Sequence, residues 1–258
     1  MNLALTSPAL ADAGFSHGFF GRQGGVSQPP YATLNFSTAG GDDPAAVAEN
    51  LSRAAAEMGV TADHIYYLSQ VHGTDHRVLT GTEDREAVLC EQGDITLSST
   101  PDVACAVRAA DCAAVLLADR TTGAVAAAHS GWRGTEAQVA VAAVTALRSL
   151  IGGPGDLIAA IGPHIERCCF EVGADVAARL VAASPCGEAA VDRGSPKPRV
   201  DLRRIIDAQL RAAGVTTVDH VAGCTMCDAE HFHSYRRDGP RSGRMLAAIV
   251  ARRPTAGG

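Results

Sequence analysis

Three short apolar segments stand close together in the middle of this 258-residue chain. They run from Val103 to Arg108, from Ala113 to Ala118 and from Ala124 to Ala128, with turn residues between them. Segments of this length, rich in Val, Leu and Ala and bounded by turns, favour buried β-strands over helices. The sequence therefore predicts a group of core strands joined by short connections.

Reactive side chains lie at the ends of these predicted strands. Asp111 and Cys112 come directly before the second strand, and His129 directly follows the third. A further strand is predicted from residue 65 to residue 69, and it leads into the segment that contains His72. Because the ends of neighbouring strands lie close in space, the thiol and the two imidazoles could meet at one point.

The group His72, Cys112 and His129 is the first candidate site. Two imidazoles and a thiolate suit zinc, and three protein ligands leave a fourth position for water or substrate, which is typical of catalytic zinc. Cys112 and His129 could instead form a metal-free dyad, in which a thiolate nucleophile is paired with a base. Both alternatives need the same two residues close together, and a metal analysis separates them.

A competing candidate site lies nearer the C-terminus and comprises Cys224, Cys227, His231 and His233. The C-x-x-C spacing resembles a zinc knuckle or a redox pair, but the H-x-H spacing is unusual for zinc and no second half follows. The adjacent residues Cys168 and Cys169 would point to opposite faces of an extended chain. We therefore expect these two to be mostly buried thiols that do not share a metal.

Capping residues predict two helices, one from Pro44 to about Met58 and one from Thr135 to about Leu150. Asp43 is expected to cap the first helix, Thr135 is expected to cap the second, and a glycine follows each. A strand, a glycine turn and a helix N-terminus in succession form an anion site ahead of the second helix. Arg133, in that turn, would add a forked donor.

Two further polar residues are candidates for ligand contacts. Arg22 stands in a Gly-rich loop, which suits close backbone approach to an anion but is also typical of a plain surface turn. Asn35 lies in apolar company, either as a satisfied structural amide or as a ligand contact. The sequence leaves both pairs of alternatives open.

The composition is that of a globular protein, with 47% hydrophobic and 19% charged residues. A net charge of −6 argues against a nucleic-acid partner, because such proteins need a basic surface. No internal repeat and no low-complexity linker is visible, so we expect a single domain over residues 1–258.

The sequence shows neither a targeting signal nor a membrane span. The first residues lack a basic start and a long apolar stretch, and no run approaches the roughly 18 apolar residues of a membrane span. Eight cysteines in a chain of this length is not the density of a disulfide scaffold. We expect a cytoplasmic protein with reduced thiols and no membrane partner.

Seven segments resemble, in order, the motifs of a known family. They are GFFGRQGGVS, LNFSTAGGDDPAAVAEN, QVHGTD, AADCAAVLLAD, AAHSGWRG, IGPHIERCCFEVG and FHSYRRDG. The resemblance extends from about Phe15 to Ile249, and QVHG, ADC and HSGWRG are specific when they occur together in this order. The chain resembles the laccase-domain family, also called the multicopper polyphenol oxidase or peptidoglycan-editing-factor family, whose members are described as purine nucleoside phosphorylases.

This resemblance implies a fold and a metal site. The fold is α/β, a single domain with a mixed β-sheet flanked by helices on both faces, and the protein is usually a monomer. The family's metal ligands fall on His72, Cys112 and His129, which implies one Zn²⁺ at a surface cleft, with Cu²⁺ as the alternative metal. The resemblance assigns no role to Cys227 or to His164.

The resemblance also implies an activity. This is phosphorolysis of adenosine, inosine and S-methyl-5′-thioadenosine to the free base and ribose 1-phosphate, and adenosine deamination is attached to the same family. Purine nucleoside and phosphate are then the partners. For catalysis we expect Cys112, Asp111 and Arg133, and for substrate binding Arg22, Asn35 and Arg236. Asp111 would either orient a metal-bound histidine or accept a proton, and the general acid is unassigned.

Three other functions are alternatives. A metal-dependent hydrolase could edit peptidoglycan precursors, removing a misincorporated amino acid from a UDP-MurNAc dipeptide by activating water. Laccase-like polyphenol oxidation fits the residues poorly, because it relays electrons through several coppers with many imidazole ligands, and only His231 and His233 form an H-x-H pair. A non-catalytic partner-binding protein with a structural metal is the third.

Overall fold

The computed structural model describes residues 3–254. The strands in this part of the chain are β1 (Ala4–Leu5), β2 (His17–Phe20), β3 (Ile65–Tyr66), β4 (His76–Leu79), β5 (Ile95–Ser98), β6 (Ala104–Ala109), β7 (Ala113–Asp119), β8 (Val125–Ser130), β9 (Leu157–Ile161), β10 (Val191–Asp192), β11 (Arg199–Val200), β12 (Thr217–His220) and β13 (Met245–Val250). The α-helices are α1 (Pro8–Asp12), α2 (Pro44–Met58), α3 (Arg85–Cys90), α4 (Trp132–Glu136), α5 (Val139–Ile151), α6 (Ala174–Ala182), α7 (Leu202–Ala212) and α8 (Tyr235–Asp238). Short 3-10 helices cover Ala62–His64, Gly187–Ala190 and Gly239–Arg241.

Two mixed sheets form the centre of the protein. One has five strands in the order β1-β2-β13-β6-β3, and the other has six in the order β12-β9-β7-β8-β5-β4. Strands β10 and β11 form a separate small ribbon. The three apolar segments are β6, β7 and β8, so the strands predicted there are confirmed. Strands β7 and β8 pair with each other, whereas β6 belongs to the five-stranded sheet.

Alternate side chains of the central strands enter different cores. In β6, Cys105 and Val107 lie in the core between the two sheets, whereas Ala104 and Ala106 pack in a second core with α2. Strands β7 and β8 alternate in the same way between the inter-sheet core and a third core that contains α5 and α7. Strands buried on both faces read as continuous apolar runs, which explains the sequence pattern.

The result is a layered α/β architecture, with α2, the five-stranded sheet, the six-stranded sheet, and then α5 and α7. The predicted α/β fold with helices on both outer faces is confirmed. The strands are divided between two packed mixed sheets instead of one, because β6 and β13 also bury a face that only a second sheet covers. Small side chains at Ala114, Ala127 and Ala247 line the contact and allow the sheets to approach closely.

Helix α2 begins and ends as predicted. The Asp43 carboxylate accepts a hydrogen bond from the Ala45 amide at 3.0 Å, and Pro44 occupies the first helical position. Gly59, in the left-handed region with φ of 75°, ends the helix. None of the helices formed by residues 3–254 is both long and apolar enough to cross a membrane.

The predicted start of the second helix is wrong. Thr135 lies inside the five-residue helix α4, whose N-cap is Gly131, and its hydroxyl is hydrogen-bonded to the Ser130 hydroxyl at 2.9 Å. Helix α5 begins only at Val139, after Gln138 in a left-handed conformation with φ of 59°. The chain therefore makes a short helix, a break and a longer helix where one helix was expected.

Candidate metal centre

His72, Cys112 and His129 lie together at one edge of the layered core. One potential ligand atom from each lies within 4.8 Å of those of the other two. The Cys112 sulfur is 3.9 Å from His72 Nε2, and the two imidazole rings meet edge to face with centroids 4.9 Å apart. His129 is buried, Cys112 is partly exposed and His72 is exposed, so the group opens to solvent on the His72 side.

Unusual backbone conformations bring these side chains together. His72 and Asp111 both adopt left-handed backbone conformations, with φ of 63° and 87°, which are uncommon for residues other than glycine. A Cβ atom added to Gly131 would lie 2.7 Å from the Cys112 sulfur and 2.9 Å from Cδ2 of His72. Only glycine therefore fits at the turn after β8, because any side chain there would displace two of the three ligands.

Asp94 is a functional residue that the sequence analysis missed. Its buried carboxylate accepts a hydrogen bond from Nδ1 of His129 at 2.8 Å, which leaves Nε2 of that ring free for a metal. It also accepts the backbone amides of Val71, His72 and Gly73 at 3.1, 3.1 and 2.7 Å. One carboxylate therefore orients one ligand and fixes the loop of another. Asp94 could have been sought in the sequence, because a metal-binding histidine regularly has a carboxylate partner and Asp94 directly precedes the buried strand β5.

The electrostatics of the centre favour an ionised thiol. Burial alone would raise the pKa of Cys112, but the charge of His129 and hydrogen bonds with both imidazoles outweigh it and lower that pKa to about 6. Burial would lower the pKa of His129, but Cys112 and Asp94 raise it to about 9. Thiolate is the form of cysteine that binds metals, so Cys112 is prepared for this role. A donor set of two nitrogens and one sulfur fits zinc or copper.

Asp111 points away from the imidazoles and holds a neighbouring loop. Its Oδ1 accepts hydrogen bonds from the hydroxyls of Thr225 and Ser234 at 2.6 and 2.7 Å, and its Oδ2 accepts the Arg236 amide at 2.6 Å. The function of orienting a metal-bound histidine, one of the two alternatives for Asp111, belongs to Asp94 instead. Asp111 fastens the loop before α8 to the residue next to Cys112.

Arg22 and Asn35, two of the predicted substrate contacts, form hydrogen bonds within the protein instead. The Arg22 guanidinium donates to the carbonyl oxygens of Ala32 and Ala229 at 3.0 and 2.8 Å. The Asn35 side chain is fully buried; its amide donates to the Ser37 carbonyl and the Asp42 carboxylate, and its oxygen accepts two backbone amides. The geometry therefore favours the structural amide over the ligand contact for Asn35, and gives Arg22 a function in joining two loops.

The other two predicted arginines are exposed. Arg133 stacks on the Trp132 ring, with its guanidinium carbon 4.4 Å from the ring centroid. Arg236 donates to the Glu171 carbonyl at 3.2 Å and lies 5.7 Å from the Phe170 ring centroid. Both cations can therefore meet a solute, and Arg236 is tied through its own amide to Asp111 beside the metal centre.

A second pair of arginines near the same strand ends was not anticipated. Arg108 lies in β6, three residues before Asp111, and Arg244 directly precedes β13, which pairs with β6. Burial, together with the charges of Arg244 and Arg85, lowers the pKa of Arg108. Among the described residues neither forms a salt bridge with a carboxylate. Guanidinium groups without a carboxylate partner attract anions. Arg108 and Arg244, together with the exposed Arg133 and Arg236, therefore form a group of positive charges that we call the positive rim.

The site proposed around Cys224, Cys227, His231 and His233 does not assemble. His231 is hydrogen-bonded to the Asp228 carboxylate at 2.9 Å, and His233 is buried against Gly243. The two cysteines lie instead beside Cys168 and Cys169. The expectation that these two are mostly buried is also wrong, because Cys168 is exposed and Cys169 is partly exposed. Both lie in a turn, and their sulfurs lie within 4.8 Å of each other instead of on opposite faces.

Fold and site together define an α/β protein with an open group of three potential metal ligands at its strand ends. The chain belongs to the multi-copper polyphenol oxidoreductase laccase family, whose profile matches residues 16–252, and the family predicted from the motifs is thus confirmed. It is 40% identical over 245 residues to the Streptomyces griseus protein named purine nucleoside phosphorylase ORF3, covering 95% of this chain and 96% of that one. It is 37% identical to Escherichia coli purine nucleoside phosphorylase YfiH, covering 88% and 90%.

Solved structures give the same result for the fold. YlmD from Geobacillus stearothermophilus superposes with a TM-score of 0.88 at 30% identity, covering 98% of this chain and all of that one. The Neisseria meningitidis protein NMB0706 superposes with a TM-score of 0.83 at 36% identity, covering 96% and 99%. Both of the sequence relatives described above are named as purine nucleoside phosphorylases.

Proposed function

We propose that this protein is a zinc-dependent purine nucleoside phosphorylase. It would convert adenosine, inosine and S-methyl-5′-thioadenosine to the free base and ribose 1-phosphate, and would also deaminate adenosine. The observation that supports this most directly is the convergence of His72, Cys112 and His129 on one point, open on one side. The names of relatives that are about 40% identical over nearly the whole chain point the same way.

The donor set favours zinc over a chain of coppers. Two imidazoles and a thiolate satisfy three positions of a tetrahedral zinc ion, and the exposed side of the group is available for water or substrate. Laccase chemistry requires several copper ions with many imidazoles. Of the two groups in the described residues with metal-binding spacing, only this one contains histidine. When bound, zinc would act as a Lewis acid on a substrate oxygen or on water.

Phosphorolysis needs an anion next to the anomeric carbon of the ribose. A phosphate oxygen forms a bond to C1′, the bond from C1′ to the purine nitrogen breaks, and the purine takes up a proton. Arg236 and Arg133 are exposed cations, and Arg108 and Arg244 have no carboxylate partner among residues 3–254, so phosphate would meet the positive rim. Helix α4 has only five residues and adds little dipole, so the side chains would hold the phosphate.

The remaining residues would hold the reacting parts in place. Asp94 keeps His129 in one tautomer and fixes the His72 loop. Asp111 holds the segment that carries Arg236. The Tyr235 ring is half exposed, and the Arg244 guanidinium carbon lies 5.5 Å from its centroid, so this ring can stack on a purine beside the cationic rim.

Purified, zinc-loaded protein mixed with inosine tests this proposal. With phosphate we expect hypoxanthine and ribose 1-phosphate in equal amounts by chromatography, and without phosphate no base release. Cys112→Ser should lower turnover about 1,000-fold, whereas Cys90→Ser, which alters an exposed thiol on α3, should leave it intact. Inosine that stays unchanged with zinc-loaded wild type would refute the phosphorylase. Adenosine without phosphate tests deamination separately, with inosine as the expected product.

A further inference from the structure

Four cysteines from two loops form a second cluster that the proposed reaction does not use. The Cys168 sulfur lies 3.5 Å from that of Cys224 and 3.6 Å from that of Cys227, and the Cys169 and Cys227 sulfurs are 3.2 Å apart. All four sulfurs lie within 4.8 Å of one another. The cluster is therefore a compact set of four soft donors.

Strand pairing explains why these distant residues meet. Strands β9 and β12 are parallel neighbours, with Ile161 opposite His220, so the chain leaves both strands at the same edge of the sheet. The two exits stay together, because residues 164 and 224 form a further parallel bridge. The loop after β9 and the loop after β12 therefore present their cysteines to each other.

A turn allows adjacent cysteines to face the same side. Residues 167–169 are in a turn, and the amides of Cys169 and Phe170 both donate to the Glu166 carbonyl at 2.9 Å. An extended chain would send the two side chains to opposite faces, but a turn does not impose this alternation. The loop of Cys224 and Cys227 is turned as well, since the Asp228 amide donates to the Cys224 carbonyl at 3.0 Å.

The sulfur spacing matches a tetrahedral thiolate site better than a disulfide. With zinc–sulfur bonds of about 2.3 Å, the edge of a regular tetrahedron is about 3.8 Å. The three close pairs here, at 3.2–3.6 Å, approach that edge. A disulfide would need about 2.0 Å between two sulfurs, and all four thiols are free.

The thiols need a positive charge to ionise together. Burial would raise the pKa of Cys224, but the backbone amides of Glu166 and Cys227 and the neighbouring thiols lower it. Desolvation and the thiol neighbours raise the pKa of Cys169 to about 11 and also raise that of Cys168. Backbone amides thus stabilise the Cys224 thiolate, whereas Cys168 and Cys169 would need a cation beside them to ionise as well.

We propose that Cys168, Cys169, Cys224 and Cys227 bind one zinc ion in a closed, structural four-thiolate site. Four protein ligands leave no position for substrate, so this metal stabilises the fold and performs no chemistry. It would clamp the loop after β9 to the loop after β12. The second loop supplies Thr225, which binds Asp111 beside the candidate active centre, so the clamp would also steady one wall of that centre.

Metal content of three variants tests the proposal independently of any activity. Protein is produced with excess zinc, purified under reducing conditions and analysed for zinc per chain. We expect two zinc ions in wild type and in the exposed-thiol control Cys90→Ser, and one in Cys112→Ser. The double variant Cys168→Ser/Cys227→Ser should also keep one. If Cys112→Ser retains no zinc, or if iron occupies the cluster, the proposal is overturned.

Cobalt substitution in the Cys112→Ser background identifies the ligands. A single Co²⁺ bound by four thiolates should give intense sulfur-to-metal charge-transfer bands, and adding Cys168→Ser/Cys227→Ser should remove them. If that triple variant fails to fold, the single-site Cys112→Ser protein is titrated with a mercurial thiol reagent instead. Because the accessible thiols of Cys90 and Cys186 would also react, this protein additionally carries Cys90→Ser and Cys186→Ser, and release of its one zinc with four equivalents of reagent is then expected. A mass lower by two hydrogens in protein purified without reductant would mean a disulfide in place of the metal and would overturn the site.

Discussion

The two groups of potential metal ligands differ in what surrounds each sulfur. One is the open centre, formed by His72, Cys112 and His129, and the other is the four-cysteine cluster. Cys112 lies between two imidazoles at strand ends, and a buried carboxylate holds one of those imidazoles. The four clustered cysteines lie on loops, with other thiols and backbone amides around them. Three ligands with an exposed side leave room for a substrate, whereas four ligands complete a tetrahedron. Zinc bound at both sites would therefore be catalytic in one and structural in the other, because the number of protein ligands differs.

Ionisation separates the two regions further. The pKa of Cys112 is lowered to about 6, so its sulfur is largely thiolate at neutral pH before a metal binds. The pKa of Cys169 is raised to about 11, because neighbouring thiols and desolvation oppose its charge. Metal binding at the loop cluster must therefore release more protons than binding at the open centre.

Removing ligands from one region at a time should affect different properties. For Cys112→Ser we expect kcat/KM for inosine to fall about 1,000-fold, since Lewis-acid stabilisation is worth several kcal/mol. Its Tm should change little, because the core does not depend on this loop. For Cys168→Ser/Cys227→Ser we expect a Tm lower by roughly 10 °C, as losing a structural metal costs several kcal/mol.

Activity of the double variant sharpens this contrast. The four-cysteine site is expected only to stabilise the loop of Thr225, which is hydrogen-bonded to Asp111. In the double variant this loop is loosened but no reacting group is lost, so KM should rise less than about tenfold and kcat should be unchanged. Steady-state kinetics and calorimetry on both variants are the measurements. Equal loss of kcat in the two variants would mean that the regions are not separate.

Asp94 offers a smaller effect within the open centre. Asp94→Asn keeps the shape but removes the charge that holds Nδ1 of His129, and partners of this kind typically contribute 10–100-fold to metal affinity. We expect zinc affinity to fall within about that range, measured by competition with a chelator. Asp84→Asn, which changes an exposed cap of α3, is the control and should bind zinc normally. Unchanged affinity in Asp94→Asn would remove Asp94 from the site.

The parts of this structure that depend on local sequence patterns could be predicted from the sequence. The buried runs that became β6, β7 and β8 were readable, because a strand buried on both faces is apolar throughout. Helix α2 was readable from Asp43, Pro44 and Gly59, which act on the residues next to them. In contrast, Thr135 met the pattern for a cap, but its hydroxyl bonds Ser130 inside a shorter helix.

Contacts that depend on the pairing of distant strands could not be predicted from the sequence. Asp94 is 35 residues from His129 in sequence, and only the antiparallel pairing of β5 with β8 brings them together. Likewise Cys168 is 56 residues from Cys224, and the parallel pairing of β9 with β12 joins them. A spacing rule within one segment could not find either contact. The family resemblance predicted His72, Cys112 and His129 as ligands, and these residues do lie together, but it assigned no function to the loop cluster.

Acid should also weaken the loop region that contains the four cysteines, through two buried histidines. His164 is fully buried between the two cysteine loops; its Nδ1 donates to the Gly162 carbonyl, and its backbone oxygen accepts the Thr225 amide. Burial lowers its pKa to about 4. His233, on the loop that follows the cluster, is also buried, and burial with the nearby Arg22 charge lowers its pKa to about 4.

The sign of the pH effect follows from these pKa values. Between about pH 6.5 and pH 4 the unfolded chain binds a proton on each imidazole that the folded chain does not, so stability is full above pH 6.5 and falls as the pH drops. At about pH 5.5 each histidine should cost about 1.4 kcal/mol, or roughly 3–5 °C in Tm. His164→Asn keeps a donor for the Gly162 carbonyl and removes the titration, so the fall in Tm from pH 7.5 to about pH 5.5 should be smaller than that of wild type by roughly 3–5 °C. His76→Asn, at an exposed position on β4, should keep the full fall, and an unchanged slope in His164→Asn would show that the acid sensitivity lies elsewhere.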